Sequence, residues 1–355
     1  MGITMSLAEP LLPGADRIAN PLICRVDPGT RQRLSRPSSV TNRIAWRYAV
    51  PIAVIHLLAC AACLPWLFSW TGVLLAVVGT YLYGGLGINI AYHRLLTHRS
   101  FKCPLWLERF FVVVALCCME DAPASWVATH RLHHNDSDKA ADPHSPFVSF
   151  FWSHIGWLLV ENRAVRSVSA YERYARDVLR DPFYLLLERS LLGIWIYLAQ
   201  LFVYFLGGLL ASLAMGDTWA GGTQFGLSLV VWGVVLRTVC VWHISWSVNS
   251  LTHLFGYRSY DTADNSRNNW LVALLSNGEG WHNNHHIDPS SASNSHRWWE
   301  FDGAFLFICL LERLGLATEV IRPRHRRHKL APHHFHGANN PENPLPSEAQ
   351  ANLQR

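Results

Sequence analysis

Charge is scarce in this chain. Asp, Glu, Lys and Arg make up 15% of its 355 residues, whereas a soluble protein of this length usually carries nearer a quarter. Half of the residues are hydrophobic, the mean hydropathy is +0.11, and the apolar excess gathers in runs. That distribution excludes an ordinary soluble domain and points to an integral membrane protein. Cysteine is sparse too: among eight, only Cys60 and Cys63 form a C-x-x-C, and both lie inside an apolar run. They read as packing residues, so neither a disulfide framework nor a thiolate-bound cluster is implied. No G-x-G-x-x-G opens a dinucleotide-binding unit, no internal repeat is present, and the polar N-terminus has no signal-peptide core. The net charge of +5 reflects Arg31, Arg33, Arg36, Arg43 and Arg47 before the first apolar run and Arg322, Arg324, Arg326, Arg327 and Lys329 after the last. This placement suits an anionic membrane face better than nucleic acid.

Four segments, roughly 48–70, 72–95, 184–213 and 225–248, reach the ~20 apolar residues needed to cross a bilayer. The expected fold is therefore an all-α integral membrane protein with four transmembrane helices. Its membrane domain spans 43–330, between a mobile polar tail at 1–42 and a disordered tail at 331–355. The first two segments are nearly contiguous, which predicts a tight helical hairpin. A fifth apolar stretch, 105–119, carries Glu108 and Arg109 and as a helix is only about 22 Å long against a hydrocarbon core of about 30 Å. Read as interfacial or re-entrant, it leaves every polar region on one side. The loops near 71 and 214–224 lack Lys and Arg, while the N-terminus, 94–183 and the C-terminus are rich in them. The positive-inside rule then makes both termini cytoplasmic, with 96–183 and 254–330 forming a cytoplasmic helical cap. Trp298 and Trp299 with Phe301, Phe305 and Phe307 predict a helix resting on the membrane surface.

Histidine is plentiful. Nine of nineteen fall in short clusters beside apolar segments: His93 and His98; His130, His133 and His134; His253, four residues after Asn249; and His282, His285 and His286. Two clusters have the spacing i, i+3, i+4, which puts three rings on one helix face. Imidazoles in this number suit iron, copper or zinc rather than magnesium or calcium, and they suffice for two metals. Carboxylate ligands are too few for the Glu and Glu-x-x-His pattern of soluble di-iron bundles. His56, His144, His154, His243 and His296 read as structural.

The motifs H-R-L-L-T-H (93–98), H-R-L-H-H (130–134) and G-E-G-W-H-N-N-H-H (278–286), with N-S-L-T-H (249–253), D-P-H (142–144) and S-H-I-G-W (153–157), resemble those of the integral-membrane fatty acyl desaturases. They are closest to the delta-9, stearoyl-CoA-type branch, over about residues 46–322. The resemblance implies a di-iron site held by His93, His98, His130, His133, His134, His253, His282, His285 and His286, with Asn249 as a tenth position acting through water. It implies an oxygen-dependent insertion of a cis double bond into a saturated chain, carried as acyl-CoA or acyl-lipid; a membrane di-iron hydroxylase of alkanes, carotenoids or sterols is the nearest alternative. Attack on an unactivated methylene demands a metal–oxygen oxidant, with O2 as co-substrate. Trp126 and Trp246 resemble tunnel-lining positions. Tyr81, twelve residues before His93 and so roughly 18 Å along a helix, resembles the bulky stop at the tunnel's far end, with Gly85 one turn nearer the metals. Glu120, Asp121, Asp138, Asp142, Asp264 and Glu279 are candidates to orient the imidazoles. No H-P-G-G of a fused haem carrier and no ferredoxin cysteine pattern is present, so a separate electron donor, cytochrome b5 or ferredoxin with its reductase, is implied.

Overall fold

The computed structural model describes residues 33–325; the tail expected at 331–355 and most of the N-terminal one lie outside the described residues. The part of the N-terminal segment that is described is docked rather than mobile. Leu34 N–H donates to Phe147 O at 3.0 Å, and strand β1 (Val40–Ile44) pairs antiparallel with β2 (Val160–Asn162). This ribbon is the one sheet among the described residues.

In chain order the helices are α1 (Trp46–Ala59), α2 (Trp70–Tyr83), α3 (Leu105–Leu116), α4 (Pro123–Asp136), α5 (Phe150–His154), α6 (Val168–Tyr174), α7 (Arg176–Leu179), α8 (Pro182–Arg189), α9 (Leu192–Ala214), α10 (Trp219–Val230), α11 (Arg237–Ser250), α12 (Trp270–Leu275), α13 (His282–Ile287) and α14 (Gly303–Arg313). α2 runs on without a break into a π-helix, Gly84–Thr97, and α10 joins α11 through a π-helical turn, Val231–Leu236. Four helices are long and apolar enough to cross a membrane: Trp46–Cys63, Trp70–Thr97, Leu192–Ala214 and Trp219–His253. The fourth, at 35 residues, is roughly 50 Å long, about 20 Å more than the hydrocarbon core requires. Asn249 and His253 lie at its C-terminal end.

Three expectations are corrected. The third span begins at Leu192 rather than 184: Asp181 accepts from Phe183 N–H at 2.8 Å and starts a separate amphipathic helix, α8, which ends where Ser190 is extended. The hairpin between the first two spans is loose, because the 3-10 turn Pro65–Leu67 separates them before Ser69 caps α2. The helix near 298–307 starts only at Gly303 and turns Phe305 and Ile308 into the core, leaving Trp298 and Trp299 exposed ahead of it.

α3 has 12 residues, about 18 Å, too short to cross. Its C-terminal carbonyls end inside the bundle and are satisfied there. Cys117 O accepts from Gln200 Nε2 at 3.3 Å and Arg237 Nη1 at 3.2 Å, and Cys118 O accepts from Trp242 Nε1 at 2.7 Å. Irregular backbone is tolerated at such depth only when protein groups supply these partners. α3 packs directly on the π-helix, where a Cβ on Gly87 would stand 2.6 Å from Ala115 Cα; only glycine permits that approach.

Candidate metal centre

In an α-helix, residues five apart point in different directions. The π-helix at 84–97 bonds i to i+5, with His98 N–H donating to His93 O at 3.1 Å, and so brings His93 and His98 to one face. Their ring centroids are 4.8 Å apart. His130, His133 and His134 come from the last turns of α4, His282, His285 and His286 from α13, and His253 from the short 3-10 turn that ends the fourth span.

All nine imidazoles meet in two adjoining sets. His93, His98, His130, His134 and His285 form one; His133, His253, His282 and His286 form the other. Within the first, Nε2 atoms face one another: 3.1 Å for His93–His285, 2.9 Å for His285–His134, 3.0 Å for His134–His130 and 3.2 Å for His130–His98. The sets touch where the rings of His134 and His286 stack at 4.6 Å. Asn249 lines the adjoining cavities with His93, His130 and His282.

Four of the six candidate carboxylates stand behind these rings on their Nδ1 side: Glu279 at 2.7 Å from His93, Asp142 at 3.0 Å from His133, Asp138 at 3.0 Å from His253 and Asp264 at 2.5 Å from His286. Each fixes its ring with Nδ1 protonated and the Nε2 lone pair turned inward. Burial pushes these acids up, but the opposing imidazoles and, for Glu279, Arg94 outweigh it. Glu279 is held to about 2, and Asp138, Asp142 and Asp264 also lie below the usual range. Glu279 further binds Arg94 at 3.0 Å and Asn294 at 2.9 Å, and Asp302 holds the same Arg94 at 2.9 Å. The other two candidates are engaged elsewhere: Asp121 accepts from Tyr48 Oη at 2.9 Å, and Glu120 accepts from Ser245 Oγ at 3.0 Å.

Burial, reinforced by neighbouring rings, lowers His98, His130, His134, His282 and His285 well below the ordinary imidazole value and His286 to about 4. They are neutral at physiological pH, the form that ligates metal. His133 Nε2 and His253 Nε2 are buried and meet no hydrogen-bond partner. Inward lone pairs, nine nitrogen donors and four carboxylates to balance charge fit two transition-metal dications.

Two cavities flank this centre. One, of about 280 Å³, is lined by Arg47, Tyr48 and Ile52 of α1, by Leu191 and Ile194 at the start of α9, and inward by Trp126, His130, Trp246 and Asn249. The other, of about 60 Å³, is lined by Thr80, Gly84, Gly85 and Ile88 of the second span. They share Trp126, His130, Ser245 and Asn249, so together they pass the centre on both sides. Trp126 lines both cavities, Trp246 the larger and Gly85 the smaller. Tyr81 lines neither: its side chain is 37% exposed, and Thr80 takes the lining position. The π-helical segment shifts the rotational phase of everything before it, which a count along an ideal α-helix misses. His144, read from the sequence as structural, packs its ring 4.3 Å from His133; its place in D-P-H, two residues past Asp142, is the signal for that position.

Four membrane helices that gather nine imidazoles at one end, beside an apolar path, define an integral-membrane protein with a histidine cluster suited to oxidative metal chemistry. The sequence model of the fatty acid desaturase family matches residues 64–305, and the chain belongs to that family. The sn-1 stearoyl-lipid 9-desaturase of Anabaena variabilis is 42% identical over 80% of this chain and 96% of its own length. The sn-2 palmitoyl-lipid 9-desaturase of Nostoc sp. is 40% identical over 79% and 91%. An acyl-CoA 5-desaturase of Anemone leveillei is 40% identical over 78% and 79%. The protein is accordingly an oxidoreductase, a fatty acid desaturase.

Proposed function

We propose that this enzyme inserts a cis double bond at the delta-9 position of a saturated acyl chain while that chain is esterified in a membrane lipid. The observation that carries the choice of carrier is the wall of the larger cavity. It is built from the first turns of α1 and α9, helices whose outer faces expose Val50, Val54, Ile194 and Leu198. A cavity bounded there admits a chain sideways from the bilayer. Arg47 is the one cationic side chain in its lining, too little positive charge for a nucleotide carrier with several phosphates. The names of the relatives from Anabaena and Nostoc agree.

In this reading His93, His98, His130, His134 and His285 hold one iron, and His133, His253, His282 and His286, with Asn249 through water, hold the other. The pair supplies the oxygen-derived oxidant that a methylene C–H requires. Trp126, Ser245 and Trp246 hold the chain in register beside the centre, and the apolar walls keep water away from it. Thr80 and Gly84 close the methyl end. The histidine centre and cap face the cytoplasm, because the cap carries Arg99, Arg131, Arg163, Arg166 and Arg173, whereas residues 64–69 and 215–218 carry no Lys or Arg. A separate one-electron carrier, cytochrome b5 or ferredoxin, docks on that basic face.

The test is expression in cells lacking their own desaturase, with the double bond located by mass spectrometry. Reconstituted protein is then offered either a saturated phospholipid or glycolipid, or stearoyl-CoA. A delta-9 olefin formed in the lipid without passing through CoA supports the proposal. An alcohol product, or activity on the CoA thioester alone, overturns it.

A further inference from the structure

The two sets of imidazoles stand in unequal electrostatic surroundings. Behind the four-ring set lie three carboxylates: Asp142 against His133 at 3.0 Å, Asp138 against His253 at 3.0 Å and Asp264 against His286 at 2.5 Å. Their side chains are no more than 10% exposed. Among the described residues no Lys or Arg forms an ion pair with any of them, and their other hydrogen bonds come from hydroxyls and backbone amides.

The five-ring set has one such carboxylate among the described residues, Glu279 at 2.7 Å from His93. Glu279 and Asp302 both hold Arg94, at 3.0 and 2.9 Å, where its guanidinium is buried. These three charges leave one negative charge in all. Arg131, which donates to Thr97 O beside His98, is closed on Asp177 at 2.7 Å. Three uncompensated negative charges thus face one set, and one faces the other. A carboxylate at Nδ1 raises the basicity of a ligating ring, and a buried anion favours added positive charge most where no cation offsets it.

We propose that His133, His253, His282 and His286 form the tighter site and the one of lower potential, filled with metal first and reduced last. Arg94, by offsetting Glu279, keeps the other set the more readily reduced. This inference rests on the two-iron reading above and gives the one-electron carrier a fixed order of delivery. The first electron settles on the side of His93 and His285, the second on the side of His253 and His286.

Asp138→Asn separates charge from shape. Both fixed donors, His253 Nδ1 at 3.0 Å and the Asn265 N–H at 2.7 Å, meet Oδ2, whereas Oδ1 receives only the Ser145 hydroxyl at 3.3 Å, which can turn to accept from an amide. Asp138 has φ 59°, a left-handed conformation that asparagine also adopts. The substitution therefore keeps each of these hydrogen bonds and removes one charge.

The first test is titration of the full-length, metal-stripped protein with Co(II), followed by absorption. The wild type should fill in two steps at least about tenfold apart; the tighter step should survive His285→Ala and vanish in His253→Ala. The second test is a potentiometric titration at saturating iron, followed by electron paramagnetic resonance, which should show two one-electron midpoints. Asp138→Asn should lower the ferric preference of its site about tenfold, raising the lower midpoint by about 59 mV and narrowing the gap. Glu279→Gln should raise the upper midpoint and widen the gap. In an electrostatically equal pair, either substitution would widen it. Widening in Asp138→Asn, two equal Co(II) steps, or loss of the tighter step in His285→Ala overturns the inference. Binding of a single Co(II) per chain by the wild type overturns the two-iron reading instead.

Discussion

Replacing Glu279 with Gln removes one charge and leaves the shape. The wild-type carboxylate serves three partners: Oε2 lies 2.7 Å from His93 Nδ1 and accepts from Asn294 Nδ2 at 2.9 Å, and Oε1 accepts from Arg94 Nη2 at 3.0 Å. An amide can present its carbonyl to only one of these two sides, so its NH2 group opposes the donors on the other. If it opposes His93, the ring loses the partner that keeps its Nε2 lone pair inward. Loss of such an orienting partner typically weakens metal binding 10- to 100-fold, about 1.4–2.7 kcal/mol. Breaking a buried ion pair alone costs about 3–5 kcal/mol. Here Asp302 at 2.9 Å and Ala292 O at 2.7 Å still hold Arg94, so a loss of folding stability of about 1–3 kcal/mol is expected. The assay is iron retained per chain after dialysis against graded chelator, paired with melting of the metal-free protein. Glu120→Gln is the control, because Glu120 bonds Ser245 and touches no ligand nitrogen. Iron retention by Glu279→Gln equal to wild type, or an equal loss in Glu120→Gln, would refute the assignment of Glu279 as the group that orients His93.

Three further outcomes are expected. Burial pushes Glu120 up to about 8, against hydrogen bonds from Ser245 and Trp126 that favour its charged form. The folded state therefore binds more protons than the unfolded one between about pH 4.5 and 8, and stability is full below that window and lost as pH rises through it, by at most about 5 kcal/mol. Melting curves of wild type and Glu120→Gln should coincide at pH 5 and separate by pH 9, with the variant the more stable; parallel curves would contradict the burial. Thr80→Phe fills the roughly 60 Å³ cavity and should shift product toward shorter acyl chains, read by gas chromatography of total fatty acids, whereas Tyr81→Ala should leave chain length unchanged. Gly87→Ala drives a methyl against the Ala115 backbone and should cost about 1–3 kcal/mol or more, seen as a lowered melting midpoint and reduced iron content.

What could be read from the sequence, and what could not, follows from helix geometry. The triplets at 130–134 and 282–286 were legible because i, i+3, i+4 spacing presents one face on an ordinary α-helix, as α4 and α13 do. His93 and His98 were legible as ligand candidates but not as neighbours, since five-residue spacing converges only when the backbone adopts i→i+5 bonding. The same π-helical segment displaced Tyr81 from the tunnel end in favour of Thr80. Asp142 could be paired with His133 from nearness in sequence, but Asp138 and His253 are 115 residues apart, and only the packing of the cap on the fourth span joins them. The stretch at 105–119 was read as interfacial from its length, from Glu108 and Arg109 and from the charge around it, and it forms a helix of only 12 residues. That its buried end is satisfied by Gln200, Arg237 and Trp242 depends on contacts from two other spans. The start of the third span was misplaced because apolar content resumes at 184–187 and again from Leu191, while Ser190, a weak signal, breaks the helix between them.

The central claim is that two adjoining sets of imidazoles, five and four strong, each hold one iron. Metal analysis of the purified protein beside His285→Ala and His253→Ala tests it most directly. The wild type should contain two irons per chain without a haem absorption band, and each variant, breaking a different set, should lose iron and desaturase activity. One metal per chain, zinc in place of iron, or full iron content in either variant would contradict it.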